Sequence, residues 1–411
     1  MEPLNKNILL VSYVFPPYYG IGGRRWAKHA KGLTKLGYTV HVICADNPFE
    51  KESLWFSQIK NNSKIIIHTV QSHYPSILLK SNLSFFQKLK YKFWQSFLPL
   101  KTKGNPYDRA LFWNESMLSM AKELIQQFKI EKLICSGGPF SPMYHVTKLK
   151  NDFPALFILN DLRDPWTWAP NWGYGNLNEE RMKVELHMEA EMVKLSDKVS
   201  VPTEGLLNEL CRRYPANKDK FMVIPHVFDE DEISITSKKS NNEVRLIYYG
   251  SIYEGIEPVF EQFFEFLKNN PSIKLDVYSD AIAKISSLQK YYSLSNVSLN
   301  LALNPKELFE KVNNSDYVLM INPDYNKDNI STKFYEIIYT KTPIVLISND
   351  GLGPAFIKDN HLGWHLKHEK LEEELNEWLK NRNNFNYNAE YDLSFYALNS
   401  VCKIISAILE K

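Results

Sequence analysis

Nine consecutive residues, Asn160-Asp161-Leu162-Arg163-Asp164-Pro165-Trp166-Thr167-Trp168, bring together two carboxylates, a guanidinium and two indoles. They follow Ala155 to Leu159, an apolar run that reads as a buried strand, so they lie where a strand gives way to a loop. Carboxylates there suit acid/base work on a hydroxyl, and the tryptophans suit stacking on a sugar. The other reading is a buried ion pair that fixes the loop. A base must stay unpaired with Arg163, because a paired carboxylate loses basicity. Asp164 precedes Pro165, which biases it toward an extended, stiffly presented conformation. Asp164 is therefore favoured for acid/base or acceptor contact, and Asp161, nearer the strand end, for organising the site.

Three glycine-bearing strand ends offer backbone amides to a ligand. Pro16-Pro17-Tyr18-Tyr19-Gly20-Ile21-Gly22-Gly23 lets the chain approach closely at Gly22 and Gly23 and then opens a helix, whose N-terminus favours anions. A plain tight turn is the alternative. Ser136-Gly137-Gly138-Pro139-Phe140-Ser141 is a second such end and a candidate acceptor pocket through Gly137 and Gly138. Gly250 and Ser251 form the third, after the strand Arg245 to Tyr249. Neither GxGxxG nor GxxxxGK[ST] occurs, so nicotinamide binding and a P-loop are not supported.

Ser331-Thr332-Lys333 leads a further helix, with Glu336 three residues after Lys333 and Asp328 just ahead. Hydroxyls, amides and Lys333 suit a diphosphate, and a carboxylate at Glu336 suits a pair of ribose hydroxyls. A capped surface helix with a Lys333–Glu336 pair is the competing reading. Asp229-Glu230-Asp231 contains a DxD in an acidic linker rather than at a buried strand end, and the ten histidines show no HExxH, so no metal site is expected. From Lys80 to Lys103, six lysines interleave with Phe85, Phe86, Phe93, Trp94 and Phe97. Such a segment suits an anionic membrane interface or a helix packed on its own domain with a basic edge.

These residues need a frame, and the hydrophobic pattern supplies it. Strand, glycine loop, helix and strand follow one another from Ile8 to Cys44, and apolar runs at 64–69, 132–135, 155–159 and 198–201 extend the set. Helical patterns span 114–128 and 179–195. After a polar stretch the alternation restarts at Arg245. The expected organisation is an N-terminal acceptor-side domain over 1–228, a linker over 229–243, a nucleotide-sugar-binding domain over 244–393, and a last helix over 394–411 that packs back on the first domain. Two doubly wound Rossmann-like sheets facing across a cleft would bind ligands at the carboxyl ends of their strands. At 411 residues, two domains fit the length. A net charge of +2 gives no basis for nucleic-acid binding, and four scattered cysteines fit a reducing cytoplasm. No run of 18 or more uncharged apolar residues occurs, so membrane contact is expected to be peripheral, at the inner face.

The ordered stretches Ile8 to Pro17, Gly20 to Gly23, Asp161 to Trp166, Val201-Pro202-Thr203-Glu204-Gly205-Leu206, Val223-Ile224-Pro225-His226, Tyr249-Gly250-Ser251 and Ser331 to Glu336 together resemble glycosyltransferase family 4. Within that family the resemblance is to a bacterial branch that assembles cell-surface polysaccharide such as lipopolysaccharide or capsule. It runs to about Gly363. It implies a GT-B fold, a hexosyltransferase-like activity with retention of configuration, no metal or other cofactor, and a UDP- or GDP-sugar donor. Glu336 matches the second glutamate of the family's paired-glutamate motif, and Asp328 stands where the first is expected. The family's Arg and Lys after the first donor-domain strand are missing from Gly250-Ser251-Ile252-Tyr253-Glu254-Gly255, and Lys333 is the candidate to supply their charge. The leading expectation is sugar transfer to a hydroxyl of a lipid-linked or polysaccharide acceptor. The alternatives are a UDP-N-acetylglucosamine epimerase of the same fold and a catalytically silent nucleotide-sugar-binding subunit.

Overall fold

Short runs rich in Ile, Val and Leu alternate with helical segments along the whole chain, and in the computed structural model they form two parallel sheets covered by helices. The structure describes residues 6–80, 83–168, 174–233, 235, 243–252, 256–324, 327 and 330–410. Asp328, Tyr253-Glu254-Gly255 and positions 236–242 of the expected linker lie outside the described residues. The chain divides into two units, Met1–Pro225 with Leu398–Lys411, and His226–Ala397.

Unit 1 contains β1 (Asn7–Ser12), β2 (Thr39–Ala45), β3 (Ile65–Val70), β4 (Lys132–Ser136), β5 (Phe157–Asp161), β6 (Lys198–Val201) and β7 (Phe221–Val223). Its helices are α1 (Arg24–Lys35), α2 (Phe56–Ile59), α3 (Phe85–Lys101), α4 (Asn114–Phe128), α5 (Ser141–Thr147), α6 (Glu179–Leu195) and α7 (Glu204–Arg213). The strand order is β3-β2-β1-β4-β5-β6-β7. β1, inside the sheet between β2 and β4, is buried over Ile8 to Ser12, as a strand covered on both faces must be.

Unit 2 contains β8 (Val244–Tyr249), β9 (Ile273–Tyr278), β10 (Val297–Asn300), β11 (Tyr317–Ile321), β12 (Ile344–Ser348) and β13 (Gly363–Lys367) in the order β10-β9-β8-β11-β12-β13. Its helices are α8 (Glu257–Asn269), α9 (Ala283–Tyr291), α10 (Pro305–Asn313), α11 (Thr332–Tyr339), α12 (Leu352–Asp359) and α13 (Leu371–Asn381). This order reverses direction between β8 and β11, which creates a switch point at their carboxyl ends. The last helix, α14 (Leu398–Leu409), packs on α1 of unit 1 and places Leu398 and Cys402 against Gly32.

One feature of unit 1 departs from the plain pattern of apolar core and polar surface. Helix α6 turns Glu185 and Glu189, one turn apart, into the interior. Glu185 accepts the Asn105 N–H at 2.6 Å and the Trp166 indole N–H at 2.9 Å. Glu189 accepts the Thr167 N–H at 2.9 Å. Asp108 accepts the Ser141 and Ala110 N–H groups. The loop after β5 is thus held by α6. Burial, and then the nearby Asp108 carboxylate, push Glu185 up to about 7 against its hydrogen bonds. Burial also raises Glu189 and Asp108.

A carboxyl raised on folding contributes stability that is fully present below its unfolded value of 4.5 and is lost as pH rises through about 7. The melting temperature is therefore expected to decline between about pH 5 and about pH 8, by the equivalent of roughly 1–3 kcal/mol. Glu185→Gln, which mimics the protonated form, should flatten that decline. Equal slopes for the two proteins in calorimetric scans would remove Glu185 as its source.

Candidate functional site

In unit 1 the carboxyl ends of four strands are level, because Ser12 pairs with Ser136, Ser136 with Asp161 and Asp161 with Ser200. The loops that leave these ends therefore start from one line. Asp161 closes β5 and is completely buried. Its Oδ2 accepts the Arg25 Nε–H at 3.0 Å and the Trp26 indole N–H at 2.7 Å. Its Oδ1 accepts Arg25 Nη2–H at 3.1 Å and the Ser200 hydroxyl at 2.8 Å. Arg25 also donates to the carbonyls of Ile224 and Pro225. Burial alone would raise the Asp161 carboxyl, but the Arg25 charge and the hydrogen bonds of Arg25, Ser200 and Trp26 outweigh it and hold the group below the ordinary carboxylate range.

Asp161, expected to organise the site or to act in catalysis, thus has four donors on its two oxygens and no exposed surface. Its partner is Arg25 on α1, not Arg163. Arg163 donates to the carbonyls of Gly22 and Gly138, the latter at 3.2 Å, and so ties together the loops after β1 and β4. Gly138 has φ +80°, and a side chain there would collide with the Arg163 guanidinium. Both loops are shaped around this one cation.

Asp164 is the motif's carboxylate that reaches solvent, with its side chain 34% exposed and 3.3 Å from Arg163 Nε. It keeps a face toward solvent beside the Arg163 cation, a setting that suits contact with a developing positive centre or a hydroxyl group. The expected stacking of a sugar on Trp166 is not available: the ring is fully buried, stacked on Phe140 at 5.7 Å and bonded to Glu185. Trp168 is half-buried, with Arg213 5.1 Å from its ring. Gly22 and Gly23 form the short turn that opens α1, and Gly137 donates its N–H to the Asp161 carbonyl at 3.0 Å.

In unit 2, Gly250 follows β8 with φ +115°, a conformation glycine adopts without strain. Lys333, in the first turn of α11, donates to the Tyr249 carbonyl at 2.9 Å and lies 5.3 Å from the Tyr249 ring. A side chain at Gly250 would collide with the Lys333 ammonium. The glycine thus leaves the space in which the cation sits, beside the switch point of the sheet. Tyr248 donates its hydroxyl to the Ser251 carbonyl at 2.7 Å and fixes the loop, leaving Ser251 exposed. Ser331 takes the N-cap position of α11 without a side-chain cap, so its hydroxyl and the first-turn amides of Thr332 and Lys333 make an anion-seeking helix end.

Glu336 stands one turn further along α11 and has no exposed surface. The carboxylate expected to receive two ribose hydroxyls is thus enclosed at this position of α11. The DxD of 229–231 has a local job, since Asp229 accepts the Asp231 N–H at 3.1 Å and caps the turn Glu230–Glu232. Among the described residues no group of three or more His, Cys, Asp or Glu is arranged to hold a metal ion.

Sequence reasoning missed Arg25, Trp26 and Ser200, which come from α1 and β6 and share no local motif with Asp161. It also missed Glu185 and Glu189, whose spacing is that of any helix face. Removing one member of a buried ion pair strands the other, at a cost of about 3–5 kcal/mol. Asp161→Asn and Arg25→Met are therefore each expected to lower the melting temperature by roughly 10 °C, and Arg25→Met with Asp161→Leu to recover most of the loss. Asp164→Asn should melt within a few degrees of the parent. An Asp161→Asn protein as stable as the parent would defeat the assignment.

Residues 257–389, which include α11 and Lys333, match a family described as glycosyl transferase-like. No curated protein sequence matches the chain. Among solved structures, a glycosyltransferase from Rickettsia africae is similar with a TM-score of 0.66 at 12% identity, over 99% of this chain and 98% of that one. HepE of Anabaena in complex with UDP-glucose gives 0.63 at 10% identity over 98% and 99%. A UDP-GlcNAc 2-epimerase from Neisseria meningitidis bound to UDP-GlcNAc gives 0.56 at 14% identity over 98% and 100%. The chain therefore has the GT-B fold, two Rossmann-like domains, and carries a glycosyl transferase-like segment in its second half.

Proposed function

We propose that this chain transfers a sugar from a nucleotide diphosphate sugar to a hydroxyl of a lipid-linked or polysaccharide acceptor, with retention of configuration and without a metal. The observation that carries this reading is Lys333 seated over Gly250 at the end of β8, on the helix that opens inside the glycosyl transferase-like segment. When the bond between sugar and diphosphate breaks, negative charge develops on the leaving oxygen. A lysine, a hydroxyl and backbone amides fixed in advance stabilise that charge without rearranging. Lys333 thereby stands in for the cationic pair missing after Gly250. The UDP and UDP-sugar complexes among the fold neighbours support a donor of the UDP type.

Asp164 is assigned contact with the acceptor hydroxyl or the reacting sugar, and Arg163 and Asp161 position its loop. Similarity to an epimerase keeps epimerisation as the second reading. It would need no acceptor, so the product separates the two.

Incubation with a panel of UDP- and GDP-sugars, followed by nuclear magnetic resonance, is expected to show hydrolysis or transfer of one donor. The released anomer should keep the donor's configuration, and a chelator should leave turnover unchanged. A new nucleotide sugar would establish the epimerase instead, and binding without turnover would establish a silent subunit. Lys333→Ala should weaken UDP binding by about 1.5–3 kcal/mol, the range for a hydrogen bond to a charged group; calorimetry showing unchanged affinity would take Lys333 out of the donor site. Asp164→Asn should lower turnover about 10²–10⁴-fold. Full turnover in that variant would remove Asp164 from contact with the acceptor or the reacting sugar.

A further inference from the structure

Helix α3 is long and leaves nearly all of its surface uncovered. Of its residues from Phe85 to Lys101, only Leu98 is buried, although the sequence is rich in aromatic and aliphatic side chains. Phe85 is 73% exposed, Phe86 81% and Leu100 79%, with Leu89 and Phe93 also more than half exposed. At about 100° per residue, Phe85, Phe86, Leu89, Phe93, Phe97 and Leu100 fall within about one third of the circumference. The opposite side carries Gln87, Tyr91, Trp94 and Leu98 and is the less exposed one. The outward stripe is thus an unpartnered apolar face, larger than scattered surface hydrophobics explain.

The charges around the stripe identify what covers it. Lys88 and Lys92 flank it on one side and Lys90 and Lys101 on the other, all exposed, and Lys103 follows. No aspartate or glutamate occurs anywhere from Ser53 to Tyr107. An apolar stripe bordered on both sides by lysines, with no acid among them, complements an acyl layer beneath anionic headgroups. A protein partner with an apolar groove would not require cations on both edges.

The helix is also fixed in place rather than loosely tethered. Ser84 and Gln87 form a reciprocal capping box at its start. At its end, Arg181 of α6 donates to the carbonyls of Pro99, Thr102 and Gly104, each at 2.7 Å. Among the described residues no helix is long and apolar enough to cross a membrane, so α3 would lie in the interface plane.

We propose that α3 is a membrane-docking element that seats unit 1 on an anionic lipid surface through Phe85, Phe86, Leu89, Phe93 and Leu100, with Lys88, Lys90, Lys92 and Lys101 on the headgroups. This inference stands independently of the sugar-transfer reading, because it uses none of the site residues.

The full chain should sediment with vesicles containing phosphatidylglycerol and not with pure phosphatidylcholine vesicles, and the binding should fall as salt is raised toward about 0.5 M. Lys88→Glu with Lys92→Glu should weaken binding at least about 25-fold, from about fivefold per lysine lost. Phe86→Ser with Phe93→Ser should reduce it at least tenfold without a change in melting temperature, since both rings are already exposed. Either of three results would overturn the proposal: equal binding to neutral and anionic vesicles, full binding by the charge-reversed protein, or self-association of the chain in sedimentation velocity that the Phe86→Ser, Phe93→Ser variant abolishes. The last would assign the face to a second copy of the chain.

Discussion

The buried pair between Arg25 and Asp161 is the interaction on which unit 1 depends. A carboxylate with no surface would be intolerable alone, and a buried guanidinium equally so. Together, with Trp26, Ser200 and two carbonyls completing their bonds, they join the first helix, the end of β5, the end of β6 and the segment that leaves β7. Because Asp161 is the last residue of its strand, the pair also fixes where the next loop begins. Arg163 then repeats the device one step out, joining the loops after β1 and β4. Two arginines, one inside and one at the rim, convert four strand ends into a single stiff edge from which Asp164 projects.

Unit 2 reaches a comparable result with less. A single left-handed glycine admits a single lysine, and the lysine is held by the carbonyl of the preceding residue and the ring beside it. In the proposed reaction the cation is stationed before the donor arrives, which is the condition under which charge stabilises a reaction rather than merely a bound state.

Much of this was legible in the sequence because it is periodic. The alternation of strand and helix, the glycine-bearing strand ends and the helices 114–128 and 179–195 are local patterns, and the structure shows those helices as read. What the sequence concealed is pairing at a distance. Nothing at position 25 announces a partner at 161, and nothing in the amphipathic spacing of α6 says that Glu185 and Glu189 face inward. Composition also misleads about exposure: Trp166 has the chemistry of a sugar platform but serves as a core side chain, and Glu336 has the chemistry of a ribose acceptor but is enclosed. Short strands such as β7 and β13 escaped because a few residues carry too little pattern.

Helix α6 has one further consequence. On one side its Arg181 grips the end of α3, and on the inward side its Glu185 and Glu189 grip the loop that carries Trp166 and Thr167, next to Asp164. Helix α3, proposed to dock on lipid, and the loop proposed to contact the substrate are therefore both held by α6. A shift of α6 along its axis would displace the partners of Arg181 and those of Glu185 and Glu189 together, so the end of α3 and this loop share one support.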